Sequence, residues 1–247
     1  MMTLKTILRN HRILSLSIGT VILVLMAFSG YWGYRILVKT GGRTQRVMQF
    51  LLGKDRGEFQ SYTTGKICQN AALSFPTDGY IGFFWDDSFR PFHRHQGLDI
   101  FGGTAPGIVP VYAASDGYLT RESNWKSSLI IRVPEDPLHP GSQIWLYYTH
   151  LAFPDGTSTI IERFPAGSKE MVVKSGELLG YQGNYSGDPL NPVGVHLHFS
   201  VVKDDGKGHY RNELLLKNTY DPLPYFGLVR NKSIFNSGVV CSSDTDS

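Results

Sequence analysis

The 247-residue sequence predicts an all-β fold, a single antiparallel β-sheet or sandwich domain, preceded by an N-terminal transmembrane helix. Apolar segments of strand length recur between tight-turn signals, and 27 Gly and 13 Pro supply the turns, which predicts the β domain. An uncharged apolar stretch near the N terminus predicts the helix. Hydrophobic residues make up 41% of the chain and charged residues only 18%, which excludes a disordered protein.

The formal net charge of +3 does not indicate nucleic-acid binding. Lys5, Arg9 and Arg12 lie before the apolar stretch, and without them 21 basic residues balance 21 acidic ones. Beyond Arg56 the chain is acidic, with 15 basic and 20 acidic residues. A basic face that follows a phosphate backbone is therefore not expected on the domain, and we expect no nucleic-acid partner.

The apolar stretch covers residues 13–34, after a short basic segment of residues 1–12. At about 1.5 Å of rise per helical residue it is long enough to cross a hydrocarbon core of about 30 Å. Tyr31, Trp32 and Tyr34 at its end are typical of the headgroup layer. We predict a transmembrane anchor, with a buried core helix and a cleaved export signal near Ala27 as alternatives. Basic residues on both sides leave the orientation open.

Residues 35–68 are predicted as a juxtamembrane linker, in which Val47, Phe50 and Leu51 also fit a short amphipathic partner helix. The β domain is predicted over residues 69–230, and residues 231–247 are predicted as a flexible tail. The strand signals of the domain are the segments YIGFFW, VPVYAA, LIIRV, IWLYYTHL and VHLHFSVV.

Two cysteines, Cys68 and Cys241, lie at the two edges of the predicted domain. A disulfide between them would attach the tail to the start of the domain. Two free thiols are equally consistent with the sequence, because spacing along the chain does not fix whether the Cα atoms come within about 7 Å. Both alternatives stay open.

Histidine and aspartate residues form two motifs, H-Q-G-L-D over residues 95–99 and H-L-H over residues 196–198. Side chains alternate along a strand, so His95 and Asp99 would share one face, and His196 would point the same way as His198. The glycine between His95 and Asp99 would leave room for an ion and for a ligand backbone. Two imidazoles and one carboxylate are a common ligand set of catalytic zinc, with water in the fourth position. His150 and the H-L-H histidine that does not bind the metal are candidates for proton transfer.

These motifs resemble the LytM-type, or M23, zinc metallopeptidases, which include the lysostaphin-like endopeptidases. Six segments occur in family order between about Tyr80 and Phe226, namely HQGLDI, PVYAASDGYL, YYTHL, SGELLGYQGNYSG, GVHLHFSV and DPLPYF. The resemblance implies an antiparallel sheet of LytM or lysostaphin type with a groove over the metal, one zinc ion per chain, and a peptidoglycan peptide as substrate. It assigns six side chains, with zinc ligation by His95, Asp99 and His198, catalysis by His150 and His196, and substrate binding by Tyr148.

The expected function is that of a membrane-anchored zinc metalloendopeptidase, which hydrolyses cross-links or stems of bacterial peptidoglycan by a zinc-activated water. The alternative is a catalytically silent LytM-type module that binds the wall or activates another wall hydrolase. A wall substrate implies a single-pass protein of the bacterial cytoplasmic membrane with its catalytic domain outside the cytoplasm. A regulatory protein partner is a further expectation.

The sequence departs from the family pattern at three places. The stretch NYSGDPLNPVGVHLHF between the Gly-Asn turn and the H-L-H motif is long, and Ser200 occupies a position where many members carry an acidic residue. The segment VPEDPLHPGSQ before the His150 strand is an enlarged loop. All three changes fall on the expected groove walls. They therefore affect the choice of peptide bond more than metal binding.

Overall fold

The computed structural model describes residues 4–54, 56–87, 93–230 and 238–244. A single long helix, α1 (Leu4–Leu51), precedes the strands of these ranges. The strands are β1 (Ser61–Tyr62), β2 (Gly79–Phe83), β3 (Leu98–Phe101), β4 (Pro110–Tyr112), β5 (Gly117–Thr120), β6 (Leu129–Val133), β7 (Ile144–Thr149), β8 (Met171–Val173), β9 (Leu178–Tyr181), β10 (Leu197–Lys203), β11 (Thr219–Tyr220), β12 (Leu228–Arg230) and β13 (Val239–Cys241). Short 3₁₀ helices cover Arg56–Glu58, Leu216–Asn218, Leu223–Phe226 and Ser242–Asp244.

Within the described ranges, nine strands form one antiparallel sheet. Their order is β1-β2-β3-β10-β7-β6-β5-β8, and β11 pairs with β10 beside this path. The pairs β4-β9 and β12-β13 form two further small antiparallel sheets. The predicted antiparallel, mostly β architecture is therefore confirmed.

The central strands carry the main core on one face. Leu197, Phe199 and Val201 of β10 are fully buried, and the Phe199 ring packs on Tyr148 of β7 with centroids 5.1 Å apart. Because strand side chains alternate, the positions between them point to the opposite face. His198 therefore lies on the face that does not cover this core.

The C-terminal end of α1 packs against the other face of the sheet. Val47 and Phe50 are buried in a second apolar cluster, and Leu51 packs against it. The other members of this cluster are Phe59, Tyr80, Phe83 and Phe101. The amphipathic pattern of residues 47–51 thus belongs to the last turns of α1, which cover strands β2 and β3.

Crossing a hydrocarbon core takes about 20 consecutive, predominantly apolar helical residues. In the part of the chain that the structure describes, no helix combines the necessary length and apolar character. The predictions of a transmembrane helix over residues 13–34 and of a single-pass location in the bacterial cytoplasmic membrane are wrong on this finding.

Of the segment predicted as a flexible tail, residues 231–237 and 245–247 lie outside the described residues, whereas Val239–Cys241 form strand β13. Cys241 in this strand forms a disulfide with Cys68, with Cα atoms 5.6 Å apart, which decides between the two alternatives that the sequence left open. Val239 is buried, and its carbonyl accepts a hydrogen bond of 2.9 Å from the Tyr62 hydroxyl. Pairing with β12, burial and the covalent bond together hold residues 239–241 on the domain.

Candidate metal centre

Strand pairing brings the two predicted ligand motifs together. Asp99 and His198 are direct partners across the antiparallel pair of β3 and β10. His95 precedes β3, which begins at Leu98. The strand therefore covers only the end of the H-Q-G-L-D motif, whereas the sequence predicted a strand over the whole motif. The backbone of His95 is fixed by Asp87 and Asp86, since its N–H donates to the Asp87 carbonyl and its own carbonyl accepts from the Asp86 N–H, both at 2.8 Å.

Gly97 has a different use from the one that the sequence suggested. A Cβ at this position would lie 2.6 Å from Ser200 Oγ and 2.8 Å from the carbonyl carbon of Phe199. The missing side chain therefore makes room for the backbone of β10 and not for an ion. This close approach is what lets the segment carrying His95 reach the ligands on the two strands.

The three predicted ligand atoms converge on one point. His95 Nε2 lies 2.9 Å from Asp99 Oδ1 and 2.9 Å from His198 Nδ1, and the last two atoms are 2.8 Å apart. His95 is 2% exposed and Asp99 is 6% exposed. A single ion can contact all three groups, so the residues meet the requirement that they share a metal.

The outer nitrogen of each ligand ring has its own partner. His95 Nδ1 lies 2.9 Å from the carbonyl oxygen of Phe84, and a carbonyl only accepts, so Nδ1 donates and Nε2 keeps the lone pair. His198 is turned the other way, with Nε2 2.9 Å from Ser200 Oγ and Nδ1 towards the centre. Such outer contacts orient metal-binding imidazoles. Two nitrogens and one carboxylate oxygen, with no fourth protein ligand in the described cluster, fit catalytic zinc.

The charges of the cluster favour an ionised carboxylate. Burial raises the pKa of Asp99, but the neighbouring rings of His95 and His196 outweigh it and hold that pKa well below its ordinary value. Burial lowers the pKa of His95, yet Asp99 more than compensates and the net pKa is raised. For His198 burial dominates, and the pKa is lowered. The centre therefore offers one negative charge to a cation.

His150 and His196 lie beside the ligand cluster. Their ring centroids are 4.5 Å apart, and the His150 ring centroid is 6.3 Å from that of His198. His196 Nε2 lies 3.4 Å from Asp99 Oδ1. The structure thus brings the predicted catalytic pair to the same place as the predicted ligands, from the end of β7 and the start of β10.

Backbone carbonyls fix both catalytic candidates in the same tautomer. His150 Nδ1 donates to the Tyr185 carbonyl at 2.7 Å, and His196 Nδ1 donates to the Gly194 carbonyl at 2.6 Å. In the neutral rings Nε2 therefore carries the lone pair. Burial, followed by the nearby His196, lowers the pKa of His150 to about 3, so this ring is neutral near pH 7. His150 also has a left-handed backbone, with φ of 70°.

Tyr148 lies away from the site, although the sequence assigns it to substrate binding. Its side chain is fully buried on the core face of β7, where its hydroxyl accepts a hydrogen bond of 2.9 Å from the Ala114 N–H. Burial raises the pKa of this hydroxyl. The neighbours Tyr147 and Thr149 point to the opposite face and line the pocket. Thr149 is the direct partner of His198 and shares its face. Counting alternate residues of β7 from Thr149 therefore identifies Tyr147 as a second residue that faces the site.

A pocket of about 480 Å³ lies over the ligand cluster. His93, Ser186, Val193 and Glu213 line it beside the predicted residues, and sequence analysis identified none of them as site residues. The loop of Glu213 is tied to the His95 segment, since Gln96 Nε2 donates to the Leu214 carbonyl at 3.0 Å. Contacts between such distant positions leave no local sequence signal.

The fold and the site together define an antiparallel β protein with a His-Asp-His metal-ligand cluster beneath a groove. No family model and no curated protein sequence matches the chain. The chain is similar in structure to the antimicrobial peptidase lysostaphin from Staphylococcus simulans, with 21% identity and a TM-score of 0.38, over 62% of this chain and 58% of that one. It is also similar to Csd3 of Helicobacter pylori, with 20% identity and a TM-score of 0.37, over 70% of this chain and 38% of Csd3.

A third similar structure is a variant of the catalytic domain of the prophage-encoded M23 protein EnpA from Enterococcus faecalis. It shares 18% identity with a TM-score of 0.32, over 61% of this chain and 94% of that domain. The solved structures are thus of the type that the sequence motifs resemble, and the matched part spans less than two thirds of lysostaphin and Csd3. At these identities and TM-scores, the activity has to be argued from the residues of this chain.

Proposed function

We propose that this chain is a zinc metalloendopeptidase that hydrolyses a peptide bond of bacterial peptidoglycan. The observation that carries the proposal is the convergence of His95 Nε2, Asp99 Oδ1 and His198 Nδ1 within 2.9 Å of one another, beside two further imidazoles. Three protein ligands leave one coordination position for water or substrate, as in catalytic zinc sites. The peptidoglycan substrate is supported by the ordered motifs that the sequence shares with LytM-type peptidases.

Zinc held by these three groups would polarise a carbonyl and acidify a coordinated water to a pKa near 7. His150 accepts the proton of the attacking water, because its ring is neutral near pH 7 and Nε2 has the lone pair. His196, whose Nε2 lies 3.4 Å from Asp99 Oδ1, stabilises the oxyanion in the form that carries a second proton, because only an Nε2–H can donate to it. The proton on His150 passes to the departing amine, so that each turnover returns both rings to their starting forms.

The pocket sets where the peptide lies. Tyr147 and Thr149 form its floor from β7, while Ser186 and Val193 belong to the segment that is long in this sequence. His150 and the three ligands line the same pocket, so a peptide bound there lies beside both. The long segment therefore contributes to the choice of peptide bond.

The purified full-length chain tests the proposal. We expect one zinc per chain by elemental analysis, and new amino termini in purified peptidoglycan by mass spectrometry of the released fragments. Removal of zinc by a chelator should stop release, and added zinc should restore it. Bound zinc without cleavage of any wall preparation would overturn the enzyme proposal.

Two other outcomes identify the competing functions. A module that only binds the wall would sediment with peptidoglycan and produce no amino termini, and His150→Asn would leave its binding unchanged. A peptidase for other proteins would cleave a glycine-rich polypeptide and leave purified wall intact. Each result is distinct from the expected cleavage of wall peptides.

A further inference from the structure

The end of α1 touches the group that orients His196. A Cβ on Gly194 would lie 2.7 Å from Leu51 Cδ1, so the helix packs directly on the Gly194 backbone. The carbonyl of Gly194 accepts the hydrogen bond from His196 Nδ1 at 2.6 Å. Leu51 therefore contacts the residue whose carbonyl holds the His196 ring, which acts in the proposed mechanism.

Phe101 makes the second connection between α1 and His196. Its ring stacks on the His196 ring with centroids 4.8 Å apart and an angle of 24° between the planes. Phe101 is 3% exposed and belongs to the apolar cluster of Phe50 and Val47. The helix thus packs behind both the ring face and the carbonyl that restrain His196.

A third connection leads from α1 to the ligand His95. Arg43 Nε lies 2.8 Å from Asp87 Oδ2, and its guanidinium stands 4.5 Å from the centroid of the Phe84 ring. The backbone carbonyl of Asp87 accepts from the His95 N–H, and that of Phe84 accepts from His95 Nδ1. Both carbonyls that hold His95 therefore belong to residues in contact with the helix.

We propose that the C-terminal end of α1, residues 43–51, is a positioning element of the site, which sets the orientation of His196 through Leu51 and Phe101. The inference rests on the proposed function, because orientation of His196 matters only where this ring acts in catalysis. The contacts of residues 43–51 given above reach the site through Gly194, Phe101, Asp87 and Phe84. Displacing the helix end should lower turnover while leaving the three ligands in place.

Two adjacent leucines provide a matched test in the full-length chain. Leu51 packs on Gly194, whereas Leu52 is 65% exposed. We expect Leu51→Ala to lower kcat by roughly 10- to 100-fold, as small misplacements of catalytic groups do. KM and zinc content should stay unchanged. Leu52→Ala should match wild type in all three quantities.

Gly194 provides a compensating variant. In Leu51→Ala the space beside Gly194 is empty, and Gly194→Ala would place a methyl group in it. The double variant should recover part of the lost kcat, while Gly194→Ala alone should be impaired by the clash with Leu51. Leu51→Met, which keeps an apolar side chain of similar volume, should retain most of the activity.

The ring of His196 gives a readout that does not depend on activity. In the zinc-free protein, Leu51→Ala should shift the His196 ring resonances by NMR, because the stacking on Phe101 changes, while Leu52→Ala should not. Equal kcat and equal His196 resonances in Leu51→Ala and wild type would overturn the inference. If wild type cleaves no peptide, the proposed function fails and the resonances alone decide. Should Leu51→Ala not fold, Leu51→Val replaces it in both measurements.

Discussion

Each imidazole of the centre has one nitrogen held by an outer group and the other directed inward. His95, His150 and His196 donate from Nδ1 to backbone carbonyls, which fixes Nε2 as the inner nitrogen. His198 has the reverse arrangement, because Ser200 Oγ lies at its Nε2. The carbonyls therefore leave the lone pair of the neutral His95 and His150 rings on Nε2, which is what a metal and a proton acceptor require.

The first prediction separates metal binding from catalysis. His198→Ala removes one of three ligands, so we expect zinc and peptide hydrolysis to be lost together. His150→Asn keeps all three ligands, and we expect full zinc content with hydrolysis reduced by about 10²- to 10⁴-fold, the usual contribution of a general acid-base group. Elemental analysis and a rate assay on the same preparations check both. Loss of zinc in His150→Asn would show that this residue supports the metal.

The second prediction concerns the pH dependence of stability. The folded-state pKa of His150 is about 3, below an unfolded value of about 6.5. Between these values the unfolded chain binds a proton that the folded chain does not. The contribution of the neutral ring to stability is therefore fully present above about pH 6.5 and decreases as the pH falls towards 3, by about 1.4 kcal/mol per pH unit.

His150→Asn is the matched variant for this measurement, because asparagine accepts the left-handed backbone at this position. Urea unfolding of the zinc-free protein should show a free energy of unfolding that falls more steeply with acid in wild type than in the variant. Parallel curves between pH 6.5 and pH 4.5 would mean that the ring takes up a proton in the folded state as readily as in the unfolded one.

Strands β3 and β10 determine the site at the scale of the element. Their register sets Asp99 opposite His198, and the two-residue period places His196 on the same side. Of these two features, only the shared side of His196 and His198 could be predicted from the motif, since it depends on local spacing alone. The period also determines that Tyr148 faces the core, but the motif resemblance assigned it to the groove. The register of β7 with β10, which the sequence does not encode locally, was needed to decide which face of the sheet Tyr148 occupies.

Gly97 gives the prediction at this scale. Gly97→Ala would place a methyl group 2.6 Å from Ser200 Oγ and 2.8 Å from the Phe199 carbonyl carbon, so β3 has to move away from β10. We expect weaker zinc binding and a lower melting temperature, because Asp99 and His198 separate. Gly57→Ala is the control, since a Cβ there has no atom within 4 Å. Differential scanning calorimetry and a zinc titration would detect the change, and equal values in both variants would contradict it.

At the scale of the whole molecule, the parts of the site come from distant regions of the chain. Leu51 contacts Gly194, and Gln96 binds the Leu214 carbonyl 118 residues away. Local patterns predicted the strands and the ligand set, but these contacts arise only after the chain folds. The same limit applies to the apolar stretch of residues 13–34, where composition alone favoured a membrane span that the structure does not support.

The disulfide carries the last prediction, because it closes a loop with a sequence separation of 173 residues between Cys68 and Cys241. Long loops lose the most chain entropy when they are cross-linked in the unfolded state, and the loop model gives about 5 kcal/mol here, with about 2–5 kcal/mol typical on removal of a native bridge. We expect reduction to lower the urea midpoint of the zinc-free protein accordingly.

The double variant Cys68→Ser/Cys241→Ser should unfold at the midpoint of the reduced protein and show no response to reductant. Zinc content per folded molecule should stay the same in the reduced protein and in the double variant, because neither cysteine contributes to the ligand cluster. A midpoint that does not move on reduction would show that pairing of β12 with β13 and the burial of Val239 hold the C-terminal strand without the covalent bond.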